Sequence, residues 1–349
     1  MNVQQYPVAP EAAAERMVLG RMVLRIEDSG MAVSEGVISE SRVPYGAVLG
    51  GPTSPPVAPD ANPFHTGDGS EGFYLSKSRL NRYISCPRSY FINYELGISP
   101  LRPDTDRLIG LSTHRLIAAH HLARKKDEFV DPNVMLDDFW SRHAREGDDA
   151  AIHQEMKAAR NDSLRYAELF IREAPLDPLE IERAFTVPLV NLDNGDTLPV
   201  PLVGVVDLVD QPNGIPRPLE IKTRARKADD WQIRVALELT CYAYWVRQEM
   251  MEASREEPDE IPVGYIHIIK TKTPSIQWQT DTRTVEDFIE LYRTTEAVHD
   301  SIRDGRFYRN PGTHCNWCDF PAICGKNKEE IVKIFGDAAR LLLWEADLI

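Results

Sequence analysis

The stretch from Gly204 to Thr223, GVVDLVDQPNGIPRPLEIKT, constrains this chain more than any other. Two short apolar runs, Pro201 to Val209 and Pro218 to Thr223, flank Pro212-Asn213-Gly214. Asn-Gly favours the positive φ angles of a tight hairpin, so two adjacent antiparallel strands are predicted. Asp207 then lies on one strand, and Glu220 and Lys222 lie on its neighbour. Being two apart, Glu220 and Lys222 face the same side. Such charges are costly in a sheet of Val, Leu and Ile unless a cation shares the site. Two carboxylates can hold Mg²⁺ or Mn²⁺ through hard oxygen donors. An ion so held lowers the pKa of bound water and neutralises charge on a phosphodiester. Lys222 can orient the attacking water or stabilise a pentavalent phosphorus. The plainer alternative is a solvated strand face carrying an ion pair, because a short D-x(n)-E-x-K pattern also arises by chance.

The rest of the chain surrounds this stretch with both element types. Residues 1–72 read as an N-terminal extension. A hairpin is predicted from Met17 to Ile26 and Met31 to Ile38. It is followed by a Pro/Gly-rich linker, Gly50 to Gly72, expected to be partly disordered. Leu75 to Gly97 predicts a short helix with a Ser N-cap signal, a corner at Cys86-Pro87, and an aromatic-rich helix. Its Tyr83, Tyr90, Phe91 and Tyr94 suit a core better than a base-stacking surface. Leu111 to Lys125 predicts a helix with His114 in its first turn. Asp137 to His143 and Ala150 to Glu173 predict two more, with Trp140, Tyr166, Leu169 and Phe170 buried.

A strand from Leu179 to Val190 and a turn at Asn194-Gly195 precede an antiparallel return from Leu198 to Val209. Asp229 to Met251 predicts one helix lined on one side by Trp231, Val235, Tyr242 and Val246. On it Glu238 and Tyr242, four apart, share a face. Strands at Ile261 to Thr271 and Ile276 to Thr282, then a helix from Thr284 to Asp304, complete the pattern. Strands in a row, flanked and followed by helices, indicate an α/β or α+β sandwich.

These residues carry a resemblance. Gly204-Val205-Val206-Asp207, followed by Glu220-Ile221-Lys222-Thr223, resembles the PD-(D/E)XK nuclease superfamily. The closer similarity is to its RecB-like iron–sulfur exonuclease branch, which includes the AddB nuclease domain and the CRISPR adaptation nucleases. Gly110-Leu111-Ser112-Thr113-His114 resembles that family's helix-borne His motif. Glu238 to Tyr242 falls where the family usually has Gln-x-x-x-Tyr, with Glu238 a departure. The resemblance spans roughly residues 74 to 325. It implies an α/β restriction-endonuclease-like core, a central mixed sheet flanked by helices. It further implies Mg²⁺ or Mn²⁺ held by His114, Asp207, Glu220 and the Ile221 carbonyl, with Glu238 and Tyr242 lining the substrate channel.

Five cysteines are present, an odd number. Cys315-x2-Cys318-x5-Cys324 lies in a Pro/Gly-rich context, and three thiolates so spaced suit a soft metal centre. A fourth ligand is needed. Cys86 at its Pro corner is a better candidate than Cys241, which lies within an apolar helix, and His314 is a further one for zinc. Spacing alone leaves zinc and iron–sulfur equal. The resemblance implies a 4Fe–4S cluster on Cys86, Cys315, Cys318 and Cys324, closing a nuclease domain over residues 73–330, with a C-terminal helix over 331–349.

The net charge of −14 argues against a general nucleic-acid coat but leaves room for a local basic groove. Arg224, Arg226 and Lys227 sit beside Lys222, with Arg217 and Arg234 nearby, and are the predicted DNA-binding group. Lys77, Arg79, Arg82 and Arg88 form a second basic group near Cys86. No apolar run approaches the ~20 residues of a membrane span, and Met1 to Arg16 has no signal-peptide pattern, so a cytoplasmic location is expected. The expected function is a metal-dependent DNA nuclease, an exonuclease acting on ends or single strands, with a recombination or adaptation protein as partner. The rivals are a DNA-end-binding module of the same fold and a redox-sensing iron–sulfur protein.

Overall fold

The structure, a computed structural model, describes residues 73–145, 148–253 and 258–349. The predicted hairpin at Met17 to Ile38 and the linker at Gly50 to Gly72 lie outside the described residues. The fold is a mixed sheet between two helical layers, with a small helical subdomain at one end.

Strand β3 (Leu202–Asp210) organises the sheet. Strand β2 (Glu180–Val187) runs antiparallel along one edge of β3, from Val187 opposite Leu202 to Glu180 opposite Val209. The other edge is divided. Strand β4 (Arg217–Arg224) pairs antiparallel only with Leu208, Val209 and Asp210. The two-residue strand β1 (Leu75–Ser76) pairs parallel with Leu202 and Val203. Between those contacts, Gly204 to Asp207 has no ladder partner on that edge, so β3 and β4 form a fork. Beyond the fork β4 runs parallel to β5 (Ile261–Ile269), and β5 is antiparallel to β6 (Ser275–Arg283).

The β3–β4 connection is a longer loop than the predicted tight hairpin. Pairing ends at Asp210 and Arg217, and only Gly214 within the loop has positive φ. The Gln211 side chain donates to Gly214 O (2.6 Å), which holds the loop open at six residues.

Helices α3 (Thr105–Lys126), α4 (Pro132–Ser141) and α5 (Ala150–Glu173) cover one face. Trp140, Tyr166, Leu169 and Phe170 are buried there, as their spacing predicts, against Leu219, Ile221, Ile266 and Ile268. The other face is packed by α1 (Lys77–Ser85), α7 (Leu237–Glu252) and α8 (Val285–Arg303). Gly204 is required here: a Cβ would lie 2.6 Å from the Phe185 ring, which is stacked on Trp245.

Three predicted helices differ in detail. His114 lies mid-way along α3, not in a first turn, because the helix starts at Thr105. Asp229 to Met251 is broken into α6 (Asp230–Arg234) and α7. Arg283 reaches across to donate to Ile233 O and Thr240 Oγ1 at the break, and Trp231 and Val235 turn outward instead of lining the core. The C-terminal segment holds two helices, α10 (Lys328–Phe335) and α11 (Asp337–Glu345), separated by Gly336 at φ +85°.

The segment after Cys86 is α2 (Pro87–Tyr90), continued by one π-turn, Phe91–Glu95. Ile92 and Ile98 pack with Phe320 and Ile323 around α9 (Pro321–Cys324), and with Phe335 and Leu343, in a core of their own. This helical subdomain joins the start of the described chain to its end. Tyr83 and Tyr90 belong to the main core. No helix among the described residues is long and apolar enough to cross a membrane.

Candidate active site

A fork in a sheet leaves backbone groups without ladder partners, and such groups need others when buried. Here charged and hydroxyl side chains supply them. Asp207 Oδ2 accepts from Ile221 N (2.7 Å), bridging β3 to β4 where the ladder has stopped. The Tyr242 hydroxyl lies 3.0 Å from Val205 O and 2.8 Å from Glu220 Oε2, so its one proton faces two acceptors.

Glu220 is buried at 4% exposure, and two ammonium groups compensate it. Lys222 Nζ lies 2.6 Å and Lys77 Nζ 2.7 Å from its Oε1. Burial alone would raise the Glu220 carboxyl, but the two lysines reverse this and hold it well below the usual carboxylate range. Burial would likewise lower Lys222, but Glu220 and Glu238 hold it above its ordinary value, so it stays an ammonium. Glu238, from the first turn of α7, reaches Lys222 Nζ at 3.0 Å and Lys77 Nζ at 3.5 Å, and accepts from the Tyr265 hydroxyl. A glutamine there could not balance the second lysine. The departure from Gln-x-x-x-Tyr therefore matches the presence of Lys77.

On the α3 side, His114 Nδ1 lies 3.5 Å from Asp207 Oδ2. Burial disfavours the charged imidazole, but Asp207 and Glu220 outweigh it and raise His114 overall. Gly110 lets α3 approach: a Cβ there would sit 3.3 Å from Thr223 Oγ1 on β4. The structure thus brings His114, Asp207, Glu220, Lys222, Glu238 and Tyr242 to one fork, with the Ile221 backbone between the carboxylates. Among the described residues, no three His, Cys, Asp or Glu side chains enclose a metal-sized position. The donor types, two carboxylates, an imidazole and a backbone carbonyl, nevertheless suit a hard divalent ion.

Three site residues were not read as such from the sequence. Lys77 was grouped with Arg79, Arg82 and Arg88, but only Lys77 enters the fork. Arg79 lies over the Tyr74 and Tyr94 rings, Arg82 pairs with Asp319 (3.1 Å), and Arg88 donates to Phe307 O. Tyr265 reads as an ordinary apolar strand residue. Glu182, on β2 between the residues that pair with Leu208 and Val206, has φ +46°, and burial followed by the Asp207 charge pushes its carboxyl up to about 7. An acidic residue in a strand facing a functional carboxylate was the available signal.

Of the predicted DNA-binding group, Arg224 is half-buried, and Arg226 and Lys227 are exposed beyond the end of β4. Arg217 is elsewhere, paired with Asp210 at 2.6 Å at the opposite end of that strand.

The cysteines divide as their surroundings dictate. Cys241 is buried in α7 and its thiol is pushed up to about 12 by burial. Burial also raises the Cys318 thiol, the Phe320 N–H opposes this, and Cys324 and Cys86 raise it further. Phe320 N donates to Cys318 Sγ (3.4 Å) and Gly312 N to Cys315 Sγ (3.5 Å). Cys315 is exposed, and the buried Nε2 of His314 has no hydrogen-bond partner.

The family profile described as the PD-(D/E)XK nuclease superfamily matches residues 74–325. The chain belongs to the PD-(D/E)XK nuclease superfamily. Among curated proteins none matches it. Among solved structures, a candidate exonuclease of Eubacterium rectale matches at 13% identity and a TM-score of 0.42, covering 71% of this chain and 88% of that one. In this PD-(D/E)XK chain Asp207, Glu220 and Lys222, whose spacing in the sequence resembles the superfamily's motif, all lie at the fork.

Proposed function

We propose that this PD-(D/E)XK chain is a metal-dependent DNA nuclease, an exonuclease acting on DNA ends or single strands. The observation that carries the reading is the fork itself, where Asp207, Glu220, Lys222 and His114 converge on the Ile221 backbone. Asp207, Glu220, His114 and the Ile221 carbonyl would hold Mg²⁺ or Mn²⁺. Such an ion supplies an activated water and neutralises charge on the scissile phosphate. Lys222, kept protonated between Glu220 and Glu238, would orient an attacking water by donating to it and would offset the negative charge that grows on the phosphate. Tyr242 and Tyr265 fix the Glu220 and Glu238 carboxylates, so the charges are placed before substrate arrives. Arg224, Arg226 and Lys227 bind the phosphodiester backbone beyond β4.

Cys86, Cys315, Cys318 and Cys324 are the proposed ligands of a structural 4Fe–4S cluster, with zinc as the alternative. The packing of Cys318 with Ile92, Phe320 and Ile323 after Cys86, and the amide bonds onto Cys315 and Cys318, support it. Hydrolysis needs no electrons, so the cluster's part is to clasp the helical subdomain.

The test is incubation of end-labelled single- and double-stranded DNA with anaerobically purified protein and Mn²⁺. Shortening that needs the metal and vanishes in Asp207→Asn is expected. Failure of the wild type to cut either substrate, or full cutting by Asp207→Asn at saturating metal, overturns the reading.

A further inference from the structure

We propose that the outward face of α6 is a stacking platform for unpaired bases, with Trp231 as its base-contacting residue. The proposal rests on the nucleic-acid reading of the fork and names its substrate class, single-stranded nucleic acid.

Trp231 and Val235 are 60% and 67% exposed. With Arg234 they occupy positions i, i+3 and i+4, one face of a helical turn. A single exposed apolar side chain is ordinary. This pair is not, because the segment that presents it is anchored by polar side chains of β6, half-buried Gln277 and buried Gln279 and Arg283. Gln277 pairs with both the N–H and the carbonyl of Ala228 (2.8 and 2.9 Å), and Gln279 donates to Asp229 O (3.1 Å). Arg283, 1% exposed, donates to Ile233 O, and the Ile233 side chain is buried in the main core. Both ends of α6 are therefore fixed to β6, and the indole is held outward. No ring or cation contact involves Trp231 among the described residues. With the backbone beneath the indole already fixed, a ligand that lies on it need not order the segment.

The surrounding charge states what that ligand is. Arg224, Arg226, Lys227 and Arg234 make no ion pair among the described residues, and they outnumber Asp229 and Asp230. Elsewhere in this acidic chain arginines are commonly paired, as Arg217 with Asp210 and Arg183 with Glu249. Unpaired cations flanking an exposed indole on an anchored segment match a ligand with alternating phosphates and flat apolar rings. The position agrees. α6 lies in the chain between Lys222 and Glu238, whose side chains meet at 3.0 Å in the fork. Gln277, which anchors the start of this segment, pairs with His267, and His267 pairs with Lys222, so the anchor lies two strands from Lys222, within reach of a strand that places a phosphate there. Bases in a duplex are already stacked on one another and cannot lie on an indole without opening. The platform therefore selects unpaired bases.

The test measures equilibrium binding by anisotropy, with Ca²⁺ replacing Mn²⁺, of a labelled oligo-dT, an abasic strand of equal length and a duplex. Trp231→Ala should weaken oligo-dT binding about tenfold, and Trp231→Phe by about two- to threefold, the scale of one lost base stack. Binding of the abasic strand and the duplex should stay unchanged. Unchanged oligo-dT affinity in Trp231→Ala overturns the platform. So does an equal loss on all three ligands, or a wild-type dimer that Trp231→Ala dissolves. Trp-dependent binding without Mn²⁺-dependent cleavage would overturn the nuclease reading alone. Cleavage with Trp-independent binding would overturn the platform alone.

Discussion

Lys77 and Glu220, 143 residues apart, meet at 2.7 Å across the β3–β4 fork. The contact follows from how the chain enters the sheet. Ser76 ends β1 beside Val203 and caps α1 by accepting from Arg79 N (3.3 Å), so Lys77 emerges next to the unpaired edge of β3. The fork thus holds two ammonium groups facing Glu220 and Glu238. Removing one cation must change the acidity of the carboxylate it faces.

Lys77→Met should raise the Glu220 carboxyl from its depressed value. A carboxylate with a depressed folded-state value contributes stability above its ordinary value and loses it as pH falls through the folded one. With Lys77 gone that window narrows. The acid limb of the cleavage pH profile should move to higher pH, with a loss of about tenfold at neutral pH. An unmoved acid limb would remove Lys77 from the electrostatics of the site.

Asp207→Asn and Lys222→Ala should each lower cleavage by about 10² or more while leaving the thermal midpoint close to wild type. Glu220→Gln should lose as much activity and also stability, because Lys77 and Lys222 would lose a buried counter-charge, an effect on the order of 3 kcal/mol. Cleavage rates and melting curves of the three variants, taken together, check this. Equal stability in all three would mean that Glu238 balances both lysines unaided.

Most of the sheet was legible because strand signals are local: the short Ile- and Val-rich run of Ile261 to Ile269, and turn residues at Asn194-Gly195. The pairing of Glu220 with Lys222 was legible for the same reason, since they are two apart on one strand. What was not legible depends on the tertiary arrangement. Lys77 is a helix residue among other cations until β1 places it at the fork. The break between α6 and α7 depends on Arg283, nearly fifty residues downstream, capturing Ile233 O. The periodicity that predicted a continuous helix carried no sign of it.

His121 should make stability depend on pH away from the active site. It is buried at 4% exposure with its Nε2 unpartnered and its ring edge on Phe170. Burial first, then His120 and Arg124, push it down to about 4. Unfolded, it takes up a proton near 6.5. Between about 6.5 and 4 the unfolded chain therefore binds the extra proton. Stability should be full above that window and fall through it by on the order of 3 kcal/mol. His121→Leu should flatten the fall in urea midpoints measured from pH 7 to pH 4.5. A slope identical to wild type would mean that other groups carry it.

The cysteines provide the last test. Cys86 ends α1, whereas Cys315, Cys318 and Cys324 lie beyond α8, and the two regions already share the small core of Ile92, Phe320 and Leu343. A centre joining them would close a very long loop and remove unfolded-state entropy, a few kcal/mol by analogy with long-loop disulfides. Its formation would be coupled to folding of the helical subdomain. Anaerobically purified protein should be brown and contain iron and acid-labile sulfide. Cys86→Ala and Cys315→Ala should each lose colour and melt at lower temperature. Cys241→Ala should keep the colour, because its thiol, pushed up to about 12 by burial in α7, is a poor ligand. Stoichiometric zinc without iron would change the identity of the centre and leave the clasp. Loss of the centre in Cys241→Ala together with its retention in Cys86→Ala would overturn the ligand set.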